Sequence, residues 1–211
     1  MNTAGELRAL PAGPRALLLE TPTPAYARAL AAELRRRRDR GELGVIDEIV
    51  GGEVTVLVDG VDDPAGLAVR VRSWVVPAGA DGDGPLVEVP VRYDGADLTE
   101  IARCWGVSEP AAVRLHTSVD YRVAFCGFAP GFAYLTGLPQ RLHLPRRDTP
   151  RTRVPAGAVA LAGAYAGIYP RSSPGGWQLI GRTELLLFDA GREAPALLTP
   201  GTRVRFVEVP A

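Results

Sequence analysis

The first eighty residues alternate between the hydrophobic periodicities of helices and strands. Thr23-Pro24 and Asp63-Pro64 each place a helix-capping side chain before a proline, which is favoured at the first helical position. After the first of these signals, Tyr26, Leu30 and Leu34 recur at four-residue spacing and form the apolar stripe of a helix. Short apolar runs predict strands at 6–10, 16–19, 45–50 and 53–58. This order of elements predicts a small α+β sandwich domain over residues 1–80.

A segment rich in glycine, proline and aspartate follows this part of the chain. Residues 77–85, PAGADGDGP, have no apolar periodicity and are predicted to be a linker. Beyond them, two short helices are expected at 98–105 and 109–116. The short strand-like runs are 86–92, 122–126, 158–161, 167–169, 185–188 and 203–209. Because Gly and Pro clusters separate these runs, we predict a mainly-β barrel domain with two short helices over residues 86–211.

The composition of the 211 residues is that of an ordinary globular protein. Hydrophobic residues make up 46% of the chain and charged residues 23%, and no apolar run is long enough to span a membrane. The net charge is zero, which argues against nucleic acid or an anionic membrane as a partner. The first residues carry charges and a proline where a signal peptide would need an apolar stretch, so we expect a cytoplasmic protein.

Arginine is concentrated in the second half of the chain. Residues 121–183 contain eight arginines and a single acid, Asp148, so this segment favours an anionic ligand. The chain contains no lysine. This absence excludes a Schiff-base lysine and the phosphate-binding lysine of a P-loop.

Three familiar kinds of site are disfavoured by the sequence. The two histidines, His116 and His143, have no carboxylates at ligand spacing, so no metal site is predicted. Cys126 lies in an apolar run without a helix N-terminus to lower its pKa, which argues against a nucleophilic pair with His116. The predicted helix pair imitates a DNA-binding helix-turn-helix. Its second helix, however, presents mainly alanine and valine where base recognition needs polar side chains.

Three segments combine glycine and proline with aromatic residues and arginine. They are GFAPGFAYLTGLP at 127–139, TPRTRVPAGAVALAG at 149–163 and GIYPRSSPGGWQLIGRT at 167–183. Glycine and proline at this density predict ligand-binding loops instead of core strands. The aromatic residues that would form apolar walls are Phe128, Phe132, Tyr134, Tyr169 and Trp177. The arginines that could clamp a carboxylate or phosphate are Arg153, Arg171 and Arg182. The tight turns of a barrel would need the same glycines and prolines, so composition alone leaves both interpretations open.

These segments resemble the family that contains the B subunit of 5-oxoprolinase. That family also includes allophanate hydrolase subunit 1, the sporulation-kinase inhibitor KipI and the matching carboxyltransferase part of urea carboxylase. The resemblance implies a cyclophilin-like barrel in the C-terminal part, a small α/β domain before it, and a complex with a second, homologously folded subunit. One departure is GAYAGIYP at 163–170, where family members often have GGQTGIYP, so Tyr165 and Ala166 replace a polar pair.

The motif positions that this resemblance carries over define a candidate site. We assign catalytic roles to His116, as a proton carrier at the rim of the loops, and to Arg153, which would stabilise developing charge. The substrate-binding candidates that the resemblance implies are Phe128, Pro130, Gly131, Tyr134, Ser173, Gly175, Gly176 and Gln178. Arg171 is added to them as one of the arginines that could clamp an anion. We expect all of these residues to meet in one cationic, aromatic-walled mouth at the rim of the barrel.

The resemblance implies a subunit of an ATP-dependent 5-oxoprolinase, which would open 5-oxoproline to glutamate. ATP would be shared with, or bound mainly by, a larger homologous partner that resembles the C subunit of 5-oxoprolinase or allophanate hydrolase subunit 2. Two alternatives remain open at this stage. The chain could be an amidase subunit of the allophanate hydrolase subunit 1 type, or a non-enzymatic binding module that inhibits a histidine kinase, as KipI does.

Overall fold

The computed structural model describes residues 6–76 and 84–210. The chain divides into two compact units, residues 1–82 and 83–211. Most of the predicted linker at 77–85 lies outside the described residues. Within the described parts of the chain, no helix is long and apolar enough to cross a membrane.

The N-terminal unit combines one sheet with two helices. Its elements are β1 (Arg8–Gly13), β2 (Ala16–Glu20), α1 (Pro24–Asp39), β3 (Glu48–Gly51), β4 (Thr55–Asp59) and α2 (Pro64–Arg72). The strands form an antiparallel sheet in the order β1-β2-β4-β3. Both helices begin where the sequence predicts, because Thr23 Oγ1 accepts the Tyr26 N–H at 3.1 Å and Asp63 Oδ1 accepts the Gly66 N–H at 2.8 Å. Leu30 and Leu34 of α1 are fully buried in the core of this unit.

The C-terminal unit is built around a mixed sheet. Its helices are α3 (Leu98–Trp105) and α4 (Glu109–Thr117), with a short 3-10 turn at Gln140–Leu142. Its strands are β5 (Leu86–Val91), β6 (Tyr121–Cys126), β7 (Ala133–Thr136), β8 (Arg151–Val154), β9 (Ala158–Ala162), β10 (Tyr165–Ile168), β11 (Ser173–Gly175), β12 (Gln178–Arg182) and β13 (Arg203–Glu208). Seven strands follow the order β12-β9-β10-β7-β6-β13-β5, and β8 pairs with β11 in a separate two-stranded sheet.

The two ends of the seven-stranded sheet meet. Arg92, after β5, and Arg182, at the end of β12, exchange both of their backbone hydrogen bonds at 2.9 Å. This bridge nearly closes the sheet into a barrel. The prediction of a mainly-β barrel with two short helices is therefore confirmed. The helices α3 and α4 pack against β12 and β13, respectively.

Side chains on the two faces of the sheet enter different cores. In β9, Val159 and Leu161 join the main core, which also contains residues of α3 and α4. The alternate residues Ala158 and Ala160 face a second core, which contains Phe132 and several other aromatic rings. Because side chains alternate across a strand, a single strand can serve both cores. The second core is the one that borders the candidate site.

The expectation that the glycine-rich segments exclude core strands is wrong. The strand β7 lies inside GFAPGFAYLTGLP and buries Ala133 and Leu135, while β12 follows the glycine pair at 175–176 and buries Leu179 and Ile180. These strands are only four and five residues long, so glycine and proline flank them without interrupting them. The predicted strand at 185–188 is also wrong, because that segment makes only an isolated bridge between Phe188 and Ala196.

Candidate functional site

Seven aromatic rings form one continuous cluster on one face of the barrel sheet. We call it the aromatic cluster, and it consists of Phe125, Phe128, Phe132, Tyr134, Tyr165, Tyr169 and Trp177. Phe132 lies at its centre. The centroid of the Phe132 ring is 5.0 Å from that of Tyr134 and 5.4 Å from that of Trp177. Edge-to-face contacts of this kind stabilise aromatic pairs beyond simple burial. The five aromatic residues singled out in the sequence therefore do lie together.

Phe128 stands at the exposed edge of the aromatic cluster. Its side chain is 60% exposed and its backbone has φ of +67°, a left-handed conformation that costs free energy for any residue except glycine. The turn is held by hydrogen bonds from the Ala129 N–H to Gly127 O at 2.8 Å and from the Phe132 N–H to Ala129 O at 2.9 Å. A strained, exposed aromatic residue is typical of a binding surface.

Two glycines of the candidate site are required by close packing. A Cβ atom on Gly175 would lie 2.3 Å from the Tyr169 hydroxyl oxygen, and one on Gly131 would lie 2.6 Å from the Cβ of Phe188. Gly131 also has φ of +82°, and it follows Pro130 in the turn below Phe128. Gly175 allows its strand to approach Tyr169 of the aromatic cluster closely, and Gly131 allows its turn to approach Phe188, which lies outside the cluster.

A buried carboxylate, Asp97, joins three parts of the barrel unit. Its Oδ1 atom accepts hydrogen bonds from Arg147 and Arg151, each at 2.8 Å, and its Oδ2 atom accepts the Leu179 N–H at 2.7 Å. The residue is 4% exposed. Asp97 thus ties the start of α3 to the arginine-rich loop and to β12. Sequence analysis did not find this residue, since an aspartate before a helix is usually no more than a cap.

An open cavity of about 440 Å³ lies beside Asp97. We call it the arginine cavity, and its polar lining consists of Glu100, Cys104, Arg146, Arg147, Asp148, Thr149 and Gln178. Its size is within the range of small-molecule sites. Of the predicted site residues, only Gln178 lines it. The two arginines that line it were not among the three selected as a clamp.

Arg146 connects the arginine cavity with the aromatic cluster. Burial raises the pKa of the Tyr134 and Tyr169 hydroxyls, and the positive charge of Arg146 partly offsets this effect at both rings. A Cβ atom on Gly176 would lie 3.8 Å from Arg146 Nε. Arg146 itself is exposed and has no ion pair or hydrogen bond with any described residue. It is therefore an unpaired cation between the cavity and the rings.

The three arginines predicted as a clamp lie elsewhere. Arg182 forms an ion pair with Asp94 at 2.8 Å. Arg153, on β8, is exposed and donates from Nε to Ser172 Oγ at 3.2 Å, while Arg171 is an exposed residue two positions before β11. Ser173, on β11, has a buried hydroxyl without a hydrogen-bond partner among the described residues. None of these arginines lines the arginine cavity.

His116 does not lie at the rim of the loops. Its side chain is fully buried among Tyr93, Tyr121 and Phe206, and its Nδ1 atom lies 2.8 Å from the Tyr93 hydroxyl oxygen. Burial lowers its pKa to about 3, so the ring is neutral at physiological pH. None of these three rings belongs to the aromatic cluster. The expectation that His116 is exposed as a proton carrier is therefore wrong.

The sequence contained a signal for this burial. Ala112, Val113 and His116 all lie on the buried face of α4, at the spacing of an apolar helical stripe. Among the residues that the structure describes, no group of three or more His, Cys, Asp or Glu side chains could hold a metal ion.

Comparisons with known proteins identify the family. The model of the carboxyltransferase domain, subdomain C and D, matches residues 7–198. The chain is 45% identical to the B subunit of 5-oxoprolinase from Escherichia coli O157:H7 over 172 residues, which are 77% of this chain and 78% of that protein. It is 38% identical to the corresponding B subunit from Haemophilus influenzae, over 94% of this chain and 96% of that protein.

Solved structures agree with this assignment. The crystal structure of TTHA0988 superposes with a TM-score of 0.78 and 38% identity, over 93% of this chain and 40% of that chain. The urea carboxylase of Kluyveromyces lactis shares the fold, with a TM-score of 0.73 and 19% identity over 97% of this chain and 22% of that chain. The chain spans less than half the length of either of these two proteins. The family match and the two bacterial relatives together show that this chain belongs to the carboxyltransferase-domain family, subdomains C and D, within the group formed by the B subunits of 5-oxoprolinases.

Proposed function

We propose that this chain is a subunit of a cytoplasmic, ATP-dependent 5-oxoprolinase that converts 5-oxoproline to glutamate. The observation that carries the proposal is the 38% identity to the B subunit of a 5-oxoprolinase over 96% of that protein's length. The partner would be a larger homologous protein that resembles the C subunit of 5-oxoprolinase or allophanate hydrolase subunit 2. The barrel is proposed to be cyclophilin-like, with an α+β domain over residues 1–80 before a barrel domain at 86–211.

The proposed chemistry explains the need for ATP. An unstrained lactam is a poor electrophile, so transfer of the terminal phosphoryl group of ATP to the lactam oxygen would activate the ring carbon and release ADP. One water molecule would then add to that carbon. Cleavage of the ring C–N bond would leave the amine protonated and give an acyl phosphate. A second water molecule would release phosphate and glutamate, so that the atoms balance.

The chain's own contribution would be binding and charge stabilisation. The aromatic cluster offers an apolar wall that ends at the exposed ring of Phe128, and Arg146 supplies an unpaired cation beside it. Arg153 and Arg171, both exposed on or near the β8–β11 sheet, could meet a phosphoryl group from the partner's side. Because the chain contains no lysine, a P-loop lysine for ATP would have to come from the larger partner.

The proposal is tested by expressing the chain with and without the larger homologous partner. ATP hydrolysis is then measured with 5-oxoproline, allophanate or urea as the second substrate. We expect hydrolysis to depend on 5-oxoproline and on both proteins. Dependence on allophanate alone would instead assign the chain to an amidase of the allophanate hydrolase type. Absence of hydrolysis with all three substrates, in a complex that assembles, would contradict an enzymatic role.

A further inference from the structure

The arginine cavity contains hydrogen-bonding capacity that the protein itself does not use. Two residues that line it, Arg147 and Gln178, have a buried atom without a hydrogen-bond partner among the described residues, namely Arg147 Nε and Gln178 Oε1. Arg151, which lies behind the lining and shares Asp97 with Arg147, has another in its Nη1 atom. Buried polar atoms in native proteins almost always have a partner, supplied by protein, water or ligand. The unused groups comprise two cationic donors and one neutral acceptor. A ligand that satisfies the two lining residues, Arg147 and Gln178, would combine an anionic group with an N–H donor.

The charges around the cavity favour a single negative charge on that ligand. Four arginines (Arg103, Arg146, Arg147 and Arg151) face three acids (Asp97, Glu100 and Asp148) at or directly behind the lining. Glu100 is already neutralised, because Arg103 donates to both of its carboxylate oxygens at 2.8 and 2.6 Å. Asp97 is shared by Arg147 and Arg151. The set therefore has one net positive charge, and Arg146 and Asp148 are its two residues without an ion pair among the described residues.

Gln178 supplies the neutral acceptor of the site. Its Nε2 atom lies 3.4 Å from Pro145 O, which directs the amide toward the loop that carries Arg146 and Arg147. The Oε1 atom is left as a free acceptor among the described residues. A carboxamide oxygen of this kind can accept an amide or amine N–H but cannot bind a second carboxylate.

We propose that the arginine cavity binds a small carboxylic acid that carries an N–H group. Arg146 and Arg147 take the carboxylate, and Gln178 Oε1 accepts the N–H. Asp97 is a positioning residue that holds Arg147 and Arg151 against the cavity without touching the ligand. This inference deepens the proposed function and rests on it for the choice of 5-oxoproline, an acid with a lactam N–H, as the ligand.

The first test separates the role of the carboxylate from that of the ring. The purified chain is titrated with 5-oxoproline and with pyrrolidin-2-one, the same ring without the carboxylate, by isothermal calorimetry. We expect pyrrolidin-2-one to bind at least about tenfold more weakly, and Arg146→Gln to weaken 5-oxoproline binding by about the same factor, since charge-assisted hydrogen bonds are the strong ones. Arg146→Gln should not change the binding of pyrrolidin-2-one.

The matched control is Arg141→Gln. Arg141 is an exposed arginine of the same segment that does not line the cavity. This variant should bind 5-oxoproline as the wild type does. Wild-type protein that does not bind 5-oxoproline saturably, or equal affinity in Arg146→Gln and Arg141→Gln, would overturn the inference.

The second test addresses Gln178. The wild type should prefer 5-oxoproline over 1-methyl-5-oxoproline, which lacks the N–H. In Gln178→Leu this preference should disappear, because both ligands then meet an apolar side chain. An unchanged preference in the variant would remove Gln178 from the site.

Failure of the inference and failure of the proposed function give different results. If the chain binds 5-oxoproline through Arg146 but its complex does not hydrolyse ATP, the proposed binding site is supported and the proposed enzymatic function is refuted. If the complex turns over 5-oxoproline with the same KM in the wild type and in Arg146→Gln, the proposed enzymatic function is supported and the proposed binding site is refuted.

Discussion

At the scale of single residues, His116 shows how burial changes the chemistry of a side chain. The ring is fully buried, and its pKa of about 3 lies far below the ordinary value of 6.5 for histidine. Between about pH 3 and pH 6.5, the unfolded chain therefore binds a proton at His116 more readily than the folded protein does. Below about pH 6.5, protonation favours the unfolded state, so stability is lost as the pH falls.

We predict a pH dependence of the protein's stability that is caused by His116. The free energy of unfolding should fall by up to about 1.4 kcal/mol for each pH unit below 6.5, and His116→Gln should remove that part of the slope. Urea unfolding from about pH 7 to about pH 4 measures it. The control His143→Gln leaves His116 in place and should keep the slope. Equal slopes in wild type and His116→Gln would show that the ring is not buried as described.

Phe128 gives a second prediction at this scale. Its φ of +67° penalises any residue with a side chain, whereas glycine adopts this conformation without strain. Two variants, Phe128→Ala and Phe128→Gly, lose the same ring contacts. Phe128→Gly should nevertheless be more stable than Phe128→Ala by about 1 kcal/mol. Thermal unfolding of both proteins measures the difference, and a more stable alanine variant would contradict the left-handed backbone.

At the scale of elements, Asp97 is predicted to be the most sensitive polar residue of the barrel unit. Asp97→Ala leaves Arg147 and Arg151 without their buried counter-charge, and removal of one partner from such a group costs about 3 to 5 kcal/mol. The control is Asp94→Ala, which breaks the half-exposed pair with Arg182 and should cost less than about 1 kcal/mol. Chemical denaturation of both variants measures the two losses in the free energy of unfolding. Similar losses would mean that Asp97 is not a structural centre.

The glycine pair before β12 gives another prediction at the element scale. A Cβ atom on Gly175 would collide with the Tyr169 hydroxyl, whereas the nearest atom to a Cβ on Gly176 is 3.6 Å away. Gly175→Ala should therefore cost about 1 to 3 kcal/mol, because either Tyr169 or β11 must move. Gly176→Ala should be close to neutral for stability. Thermal melts of both variants test this order, and the reverse order would contradict the packing at Tyr169.

Helices were easier to predict from the sequence than the short strands. Thr23-Pro24 and Asp63-Pro64 are local signals, and they mark the helix starts because capping depends on only a few neighbouring atoms. The strand β7 was missed because four residues between glycine and proline clusters carry too little periodicity. Its pairing with β6 and with β10, which lies well beyond it in the sequence, stabilises it instead.

The candidate site was predicted only in part, for the same physical reason. The aromatic residues could be found because they lie in unusual glycine-rich segments, and the structure brings them together. Asp97 and Arg147 are fifty residues apart, and nothing in the sequence shows that they meet. Arg146 could not be distinguished from the other arginines of its segment, because only the folded chain shows which arginines already have partners.

At the scale of the whole molecule, the family assignment and the barrel unit support the proposed role as an enzyme subunit. The family assignment covers most of the chain, and the barrel supplies an aromatic wall and a cavity with one surplus positive charge. Neither a P-loop lysine nor any other lysine is present. These features support the proposal that this chain binds a small acid and that its partner provides most of the contacts to ATP.

The central claim is that lactam opening and ATP hydrolysis are coupled in the complex. The most direct measurement is the amount of glutamate and of ADP formed from 5-oxoproline by the complex of this chain with its larger partner, followed in the same reaction. The account predicts equal amounts of both products, and neither product when this chain is omitted. Glutamate without ADP, or product formation by the larger partner alone, would contradict it.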